Sequence, residues 1–229
     1  MKYDKKTFKK ELLLLSDEKY QQFLAKLGIG ELKPIGIKIP ELKKIAKQMA
    51  QSNWQEFFDA EPNFCPEVIM LKGLCLGYAK IDFDEFLIYL KKMFEIVESW
   101  SETDTTAPAC RIIAKNKQRI WQEIQPYLFC GKEYKTRLAI IILLDYYLTD
   151  EWIDKVLELL PQIEQGQYYV DMAIAWTLSV CFVKFRDKTL EVFEQKRFSK
   201  FVQNKAIQKC RESFRVSGTD KHLLLAYKI

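Results

Sequence analysis

Apolar residues recur along most of the chain at the spacing of an α-helix. In the segment PELKKIAKQM, one helical face is formed by four apolar residues three or four positions apart: Leu42, Ile45, Ala46 and Met49. Pro40 stands where that helix would begin, a position that tolerates proline. No stretch of useful length alternates apolar and polar residues as a half-buried strand does. The pattern predicts an all-α fold with helices over about residues 3–15, 17–27, 40–51, 53–59, 66–80, 82–97, 103–115, 117–129, 133–148, 150–161, 168–184, 187–195, 199–214 and 219–227.

Three long apolar segments repeat at a regular interval in the second half of the chain. Each contains an Ala-Ile pair, at 139/140, 173/174 and 206/207, so the spacings are 34 and 33 residues. A shorter amphipathic segment follows each one, which gives units of two helices. This spacing fits a tetratricopeptide repeat or a short HEAT-like repeat, and the missing Trp and Gly signature of the first favours the second. We therefore expect one domain over residues 1–229, an α-α superhelix (solenoid) of HEAT-like repeats with a concave basic groove.

Composition limits the chemistry that this chain can perform. His222 is its one histidine, so a zinc or iron site that needs several histidines lacks its ligands. The six cysteines lie far apart with no C-x-x-C spacing, which is typical of reduced core thiols rather than of metal or disulfide sites. No apolar stretch reaches the roughly 20 residues that span a bilayer, and the first residues do not resemble a signal peptide. We expect a cytoplasmic protein with no metal, cofactor or membrane partner.

The net charge of +5 is distributed unevenly along the chain. Residues 184–229 carry 12 Lys and Arg against five acids, residues 33–48 carry five Lys against one acid, and residues 82–104 carry seven acids against two Lys. Basic ends around an acidic middle favour a polyanion as the partner, although solvated helix faces give the same pattern. The candidate DNA-binding residues are Lys38, Lys43, Lys44, Lys47, Arg111, Lys184, Lys205, Lys209 and Arg211.

The segment VESWSETDTTAPACR contains a candidate polar site. Trp100 and Asp104 are four residues apart, so they share one face of a helix that begins near Ser99 or Ser101. Pro108 would then lie inside the helix and kink it near Asp104, where a freed backbone group can serve a polar site. The alternative is purely structural: a hydrophobic staple beside a capping acid at a helix start.

Two further candidates lie on the long apolar segments. Arg137 leads EYKTRLAIIILLDYYL, where its guanidinium could fork onto a phosphate or form a salt bridge to Asp104 or Asp171. Trp176 interrupts small and aliphatic residues in QYYVDMAIAWTLSVCFVKF, and an indole there belongs either to the core or to a ligand contact. Because Asp104, Arg137 and Trp176 fall in the first halves of consecutive units, we expect them to converge on one face. Such a set suits a cationic or electron-poor aromatic ring beside a phosphate.

These segments resemble the AlkD-type DNA alkylation repair enzymes, bacterial alkylpurine DNA glycosylases built of HEAT-like repeats. The resemblance covers nearly the whole chain and rests on GIKIPELKKIAK, WSETD, TRLAIIILL, MAIAWTLSVCFVKF and QNKAIQKCRESFRVS. The W-x-x-x-D pair and the A-I-x-W stretch are its most specific parts. It implies an enzyme that hydrolyses the N-glycosidic bond of cationic N3- or N7-alkylated purines in double-stranded DNA without a cofactor. A solenoid that binds a duplex along its length can work as a monomer.

The resemblance also implies a role for each candidate residue. Asp104 matches the catalytic carboxylate, which stabilises an oxocarbenium-like sugar and orients the attacking water. Trp100 and Trp176 match the indoles that flank the sugar and backbone of the lesion, and Arg137 matches the arginine that braces the phosphate. The family's concave face is basic and grips the duplex backbone.

The N-terminal stretch differs from the family pattern. Members that excise bases have two opening helices, and the second contributes to recognition near the lesion. Here DEKYQQFLAKLGIGELKPIGIKIP carries glycine and proline after a short helix, so we expect a reduced or reshaped recognition surface. Two other functions therefore stay open: a non-catalytic protein that recognises damaged or distorted DNA by its shape, and a protein-interaction scaffold.

Overall fold

The computed structural model describes residues 2–27 and 30–229, and within these ranges the protein is all-α, with no β-strand. The all-α prediction is therefore confirmed. Short 3-10 segments follow some of the helices, at Ala107–Ala109, Arg111–Lys115, Leu160–Gln162 and Leu224–Tyr227. The α-helices are α1 (Phe8–Leu13), α2 (Glu18–Lys26), α3 (Ile39–Met49), α4 (Trp54–Ala60), α5 (Pro66–Tyr78), α6 (Phe83–Ile96), α7 (Trp100–Thr106), α8 (Lys117–Leu128), α9 (Glu133–Tyr146), α10 (Ile153–Leu159), α11 (Tyr168–Lys184), α12 (Arg186–Glu194), α13 (Lys200–Glu212) and α14 (Gly218–Leu223).

Most helix bounds lie close to the predicted ones, and the main difference is in residues 103–115. Helix α7 begins at Trp100 and ends at Thr106, and the chain continues as two 3-10 segments. Pro108 lies in the first of these, because its ring and missing N–H oppose continuation of the α-helix. The prediction of one α-helix over residues 103–115, kinked near Asp104, is therefore wrong.

The chain divides into two compact units, Met1–Asn116 (unit 1) and Lys117–Ile229 (unit 2). The single domain over residues 1–229 stays a prediction. In unit 1, α5 is the central helix, since α3, α4, α6 and α7 all pack against it. All residues of α5 from Pro66 to Leu76 are buried, which agrees with its almost entirely apolar sequence.

Two glycines of α5 determine how closely α7 and the 3-10 segment after it can approach. A Cβ at Gly73 would overlap the side chain of Thr106, and a Cβ at Gly77 would lie 2.6 Å from the backbone of Ala109. Because real Cβ atoms do not approach other atoms this closely, only glycine fits at these positions. The two glycines therefore fix the position of the segment that carries Asp104.

In unit 2 the long apolar helices pack in chain order, α9 against α11 and α11 against α13. The Ala-Ile pairs of the sequence repeat lie in these three helices, and all of these residues are fully buried. The shorter helices α10 and α12 also pack against each other. Each long helix thus packs mainly through small and aliphatic side chains at equivalent positions of the repeat.

Five of the cysteines are buried and Cys130 is exposed. Burial raises the pKa of the Cys181 and Cys210 thiols to about 12, so these thiols stay protonated at neutral pH. None of the helices in the described part of the chain combines the length and hydropathy needed to cross a membrane. Residues 2–27 and 30–229 contain no group of three or more His, Cys, Asp and Glu side chains that could hold a metal ion.

Candidate active site and nucleic-acid interface

The start of α7 is fixed by the side chain of Glu102. Ser99, the residue before the helix, has an extended backbone, and the Glu102 carboxylate accepts hydrogen bonds from the backbone N–H groups of Glu98 (2.6 Å) and Ser99 (3.1 Å). This is the carboxylate half of a capping box. The acid that caps this helix is therefore Glu102. Burial raises the pKa of Glu102 to about 7, and the two backbone N–H groups act in the opposite direction.

Trp100 and Asp104 lie one turn apart on α7, and both are partly exposed. The Thr103 hydroxyl lies 2.9 Å from the Trp100 carbonyl and 2.9 Å from Oδ1 of Asp104, so its one proton can be donated to either acceptor. When it is donated to Asp104, it helps to hold the carboxylate in one orientation. The predicted common face of Trp100 and Asp104 is thus present in the structure.

This common face borders a cavity of about 160 Å³ within unit 1. Its lining is mainly apolar, and it includes two carboxylates, those of Asp104 and Glu67. The cavity is lined by Tyr20 and Leu24 of α2, by Pro34 and Ile37 of the loop before α3, by Ile39 at the start of α3, by Pro66, Glu67 and Met70 of α5, and by Trp100, Ser101, Asp104 and Thr105 of α7. The N-terminal stretch in which we expected a reduced recognition surface therefore contains a helix that contributes to the cavity wall.

The loop that forms one wall of the cavity is held by Glu67. This residue is 1% exposed, and its Oε1 accepts hydrogen bonds from the backbone N–H groups of Ile35 (3.0 Å), Gly36 (2.8 Å) and Ile37 (3.4 Å). Gly36 has a φ of +88°, and a Cβ there would overlap the backbone carbonyl of Asp17. An oxygen that accepts hydrogen bonds from three successive amides orders a loop that has no regular secondary structure.

Three lining residues, Tyr20, Leu24 and Glu67, were not predicted from the sequence. The one available signal was an acid near the start of the apolar segment PEVIMLKGLCLG. That signal is weak, because acids are common in the first turn of any helix, where they interact favourably with the helix dipole.

Asp104 also borders a second depression of unit 1, of about 200 Å³, which is lined as well by Lys43 of α3 and by Arg111. Both of these basic residues are exposed, and both belong to the predicted DNA-binding set. Tyr78 lines the same depression, and burial raises the pKa of its hydroxyl while the charge of Arg111 acts in the opposite direction. An acid, an apolar cavity and two cations are thus adjacent in unit 1.

The other predicted basic residues of unit 1 lie outside this depression. Lys38 forms an ion pair with Asp17, the N-cap residue of α2, at 3.0 Å. Lys44 and Lys47 are exposed on α3, and the Lys47 ammonium lies 5.6 Å from the centre of the Tyr78 ring.

In unit 2, Arg137 is a buried residue near the start of α9, with 5% exposure. Its Nη1 donates a hydrogen bond of 2.7 Å to the backbone carbonyl of Tyr169, and its guanidinium carbon lies 6.0 Å from the centre of that ring. Asp171, one of the two proposed salt-bridge partners, accepts a hydrogen bond from the backbone N–H of Gly166. Arg137 therefore links the starts of α9 and α11, and its bracing of a phosphate stays a prediction.

Trp176 is exposed on α11, with 37% of its surface accessible, so its side chain does not belong to the core. It lines an open depression of about 270 Å³ with Lys209, Arg215 and Glu212 among its neighbours. A wider depression of about 590 Å³ is lined by Lys205 and Arg211 together with Lys200, Phe201, Asn204, Gln208 and Lys228.

Lys184, the last predicted contact, is exposed at the end of α11, and its Nζ lies 3.4 Å from the Leu148 carbonyl. The candidates are therefore divided between the units: Trp100, Asp104, Lys43 and Arg111 are adjacent in unit 1, and Trp176 and Lys209 are adjacent in unit 2. No protein-family model, curated protein or solved structure matches this chain.

The chemistry of the unit 1 site follows from its side chains. A carboxylate beside an indole can stabilise a positive charge, through direct electrostatic attraction and through the negative face of the ring. The adjacent cations can bind a phosphate group. The site is therefore suited to a ligand or transition state in which a cationic centre lies next to a phosphodiester.

Proposed function

We propose that this protein is a DNA glycosylase that removes cationic N3- or N7-alkylated purines from double-stranded DNA. The observation that carries the proposal is the position of Asp104, which lies between an apolar cavity shared with Trp100 and a depression that holds Lys43 and Arg111. The resemblance of the sequence to the AlkD-type DNA alkylation repair enzymes supports the same function.

We also propose that the fold is a superhelix of HEAT-like repeats. Within unit 2, α9, α11 and α13 pack in chain order. Each is the first helix of a two-helix unit, and first helices that stack on one another are typical of such a superhelix. Within unit 1, the packing of α3 and α7 on α5 supports it as well. In the proposed fold, these first helices line the concave face that holds the DNA.

In the proposed reaction, the bond between C1′ of the sugar and the alkylated purine breaks, and its electron pair leaves with the base. The departing base loses its positive charge, while positive charge develops on the sugar. The Asp104 carboxylate and the Trp100 indole stabilise this charge. A water molecule then attacks C1′, and its proton passes to Asp104 and from there to solvent. The products are an abasic site, the free base and one proton, so no cofactor is required.

Binding of the duplex would use the basic residues around both sites. Lys43 and Arg111, which line the depression beside Asp104, would contact phosphates there, and Lys209 and Arg215, which line the depression beside Trp176, would do the same. Each neutralised phosphate releases counterions, so affinity is expected to fall steeply as salt concentration rises.

The decisive experiment compares wild-type protein with Asp104→Asn on duplex DNA that carries 7-methylguanine or 3-methyladenine. The wild type should release the alkylated base, and Asp104→Asn should be slower by about 100- to 1000-fold, the usual loss when a residue that stabilises transition-state charge is removed. The release of free base is measured by chromatography under single-turnover conditions.

Asp150→Asn is a matched control, because Asp150 is an exposed acid of unit 2 that borders neither candidate depression. It should release base at the wild-type rate. If the wild type binds the duplex and releases no base, the second candidate function, recognition of damaged DNA without catalysis, replaces the glycosylase. If the wild type is active and Asp104→Asn is equally active, the function stands and the role of Asp104 does not.

A further inference from the structure

Phe214 is the most exposed large apolar side chain in the described part of the chain. Its relative exposure is 104%, whereas the other large exposed apolar residues range from 36% to 77%. It lies in the turn that joins α13 to α14. Exposure of this kind costs solubility, since a bare aromatic ring in water favours association with another surface.

The turn that carries Phe214 is well ordered by local hydrogen bonds. The backbone N–H of Arg215 donates to the Ser213 hydroxyl (3.2 Å), and the N–H of Val216 donates to the Ser213 carbonyl (3.4 Å). The N–H of Ser213 itself donates to the Cys210 carbonyl (3.2 Å), and Val216 is buried. Phe214 and Arg215 therefore occupy the outer corner of a turn that is anchored on both sides.

The surroundings of the turn are basic. Arg215 is exposed and lines the depression of Trp176 together with Lys209, and Arg211 is exposed on the last turn of α13. Glu212 is the one acid among the residues that line the depression. An exposed aromatic ring in a turn that also carries an exposed arginine is complementary to a nucleic acid, whose bases stack and whose phosphates carry negative charge.

We propose that Phe214 is a wedge that inserts between neighbouring base pairs of duplex DNA while Arg215 contacts an adjacent phosphate. This inference rests on the proposed function, because the partner is the same DNA. Apolar side chains inserted in this way partly unstack one base step and kink the duplex by about 20–90°. A kink lowers the free-energy cost of exposing a damaged nucleotide.

The test uses the full-length protein and a short undamaged duplex with a fluorescent dye at each end. Wild-type protein should bring the two dyes closer, because the duplex bends, and energy transfer should rise. Phe214→Ala should abolish the bend and weaken binding by about 10-fold, as expected when one stacking contact is lost. Phe214→Leu should retain the bend, because leucine also serves as an apolar wedge.

Two controls separate a wedge from a general effect on the surface. Phe129→Ala removes an aromatic ring of unit 2 that is 50% exposed and should bend and bind DNA as the wild type does. The dependence of affinity on salt should be unchanged in Phe214→Ala, whereas Arg215→Ala should reduce its slope by about 0.9.

Normal bending and binding by Phe214→Ala would overturn the inference, as would a wild type that binds no duplex. Self-association of the wild type that is lost in Phe214→Ala, measured by sedimentation, would also overturn it, since a second copy would then be the partner. The proposed function is scored separately by base release. Bending without base release would support the wedge and contradict the glycosylase activity. Base release without bending would support the glycosylase activity and contradict the wedge.

Discussion

Helices α7 and α11 carry the candidate indoles of the two units, and they are built differently. Helix α11 runs for 17 residues without interruption, packs on α9 and α13, and carries Trp176 on its exposed side. Helix α7 has only 7 residues, ends before a proline and continues as 3-10 turns. The two helices therefore present their indoles in different ways: Trp176 on an open surface, Trp100 at the edge of a cavity.

The difference has an identifiable cause in the sequence of unit 1. Glycines of α5 admit the short α7 and its 3-10 extension at close range, and Pro108 prevents that extension from becoming a longer α-helix. The interrupted end of α7 borders the depression that Asp104 shares with Lys43 and Arg111, because Pro108 and Ala109 of the 3-10 segment line it. The first turns of the same helix border the cavity beside Trp100 and Asp104. The comparison indicates that the site depends on irregular structure in unit 1 and on regular packing in unit 2.

The largest expected effect comes from filling the close contact in unit 1. Gly77→Ala places a methyl group 2.6 Å from the backbone of Ala109, and backbone cannot move aside as a side chain end does. We expect a loss in the free energy of unfolding of about 3 kcal/mol, the upper part of the usual range for overpacking. Urea denaturation measures this loss, and base release should fall as well, because α7 shifts.

Gly218→Ala is the matched change in unit 2. A Cβ at Gly218 meets no atom within 4 Å, and the residue opens helix α14. Alanine there should be neutral or stabilise the fold by about 0.5 kcal/mol, since it reduces the entropy of the unfolded chain. An equal loss in the free energy of unfolding for Gly77→Ala and Gly218→Ala would contradict the difference in packing between the two units.

The next effect concerns pH and the cap of α7. Burial raises the pKa of Glu102 from 4.5 to about 7. Between pH 4.5 and pH 7, the Glu102 carboxyl therefore holds a proton more tightly in the folded protein than in the unfolded chain. The contribution of Glu102 to stability is therefore complete below pH 4.5 and is lost as pH rises through 7. Glu102→Gln should remove this dependence, which we expect to be on the order of 3 kcal/mol.

Urea denaturation of wild type and Glu102→Gln across this pH range measures the difference, and other acids cancel in the comparison. Asp171, near the start of α11, is the counterpart in unit 2, where burial also raises the pKa of the carboxyl. Asp171→Asn should change the pH dependence in the same direction. A stability difference between wild type and Glu102→Gln that is constant with pH would contradict the assignment.

The smallest effect comes from the N-caps of two helices that differ in burial. Ser199 caps α13 by accepting a hydrogen bond from the N–H of Val202, and Ser199→Ala should cost about 1 kcal/mol without changing the helix. Asp17 caps α2 in the same way, but α2 has no buried residue and little packing to hold it. Hydrogen exchange should therefore show the amides of α2 opening in Asp17→Ala while those of α13 stay protected in Ser199→Ala. Equal protection in both variants would show that packing supports α2 after all.

The helices of unit 2 and the shared face of Trp100 and Asp104 could be predicted from the sequence. Periodicity of three and four residues is strong wherever a helix buries one side, as it does through the Ala-Ile pairs. The end of α7 at Thr106 was missed, because a proline can either kink a helix or end it, and the close packing of Ala109 on Gly77 of α5 is not encoded locally. Local patterns carry no information about which neighbour will approach.

The cavity could not be predicted for a related reason. Its walls come from α2, a loop, α5 and α7, and no local pattern links Tyr20 to Trp100. Glu67 appears in the sequence as an ordinary acid of a first helical turn, and its bonds to the loop amides are visible only in the structure. Arg137 is a similar case, since its bond to the Tyr169 carbonyl joins residues 32 positions apart.

The single oxygen of Glu67 that binds three successive amides has a consequence for how this cavity could change in evolution or by design. The contacts use only backbone N–H groups, which every residue except proline provides. The side chain of Ile37, which lines the cavity, can therefore be exchanged to change the size or polarity of the cavity while the course of the loop is kept. Ligand preference can therefore vary at this position as long as Glu67 holds the loop.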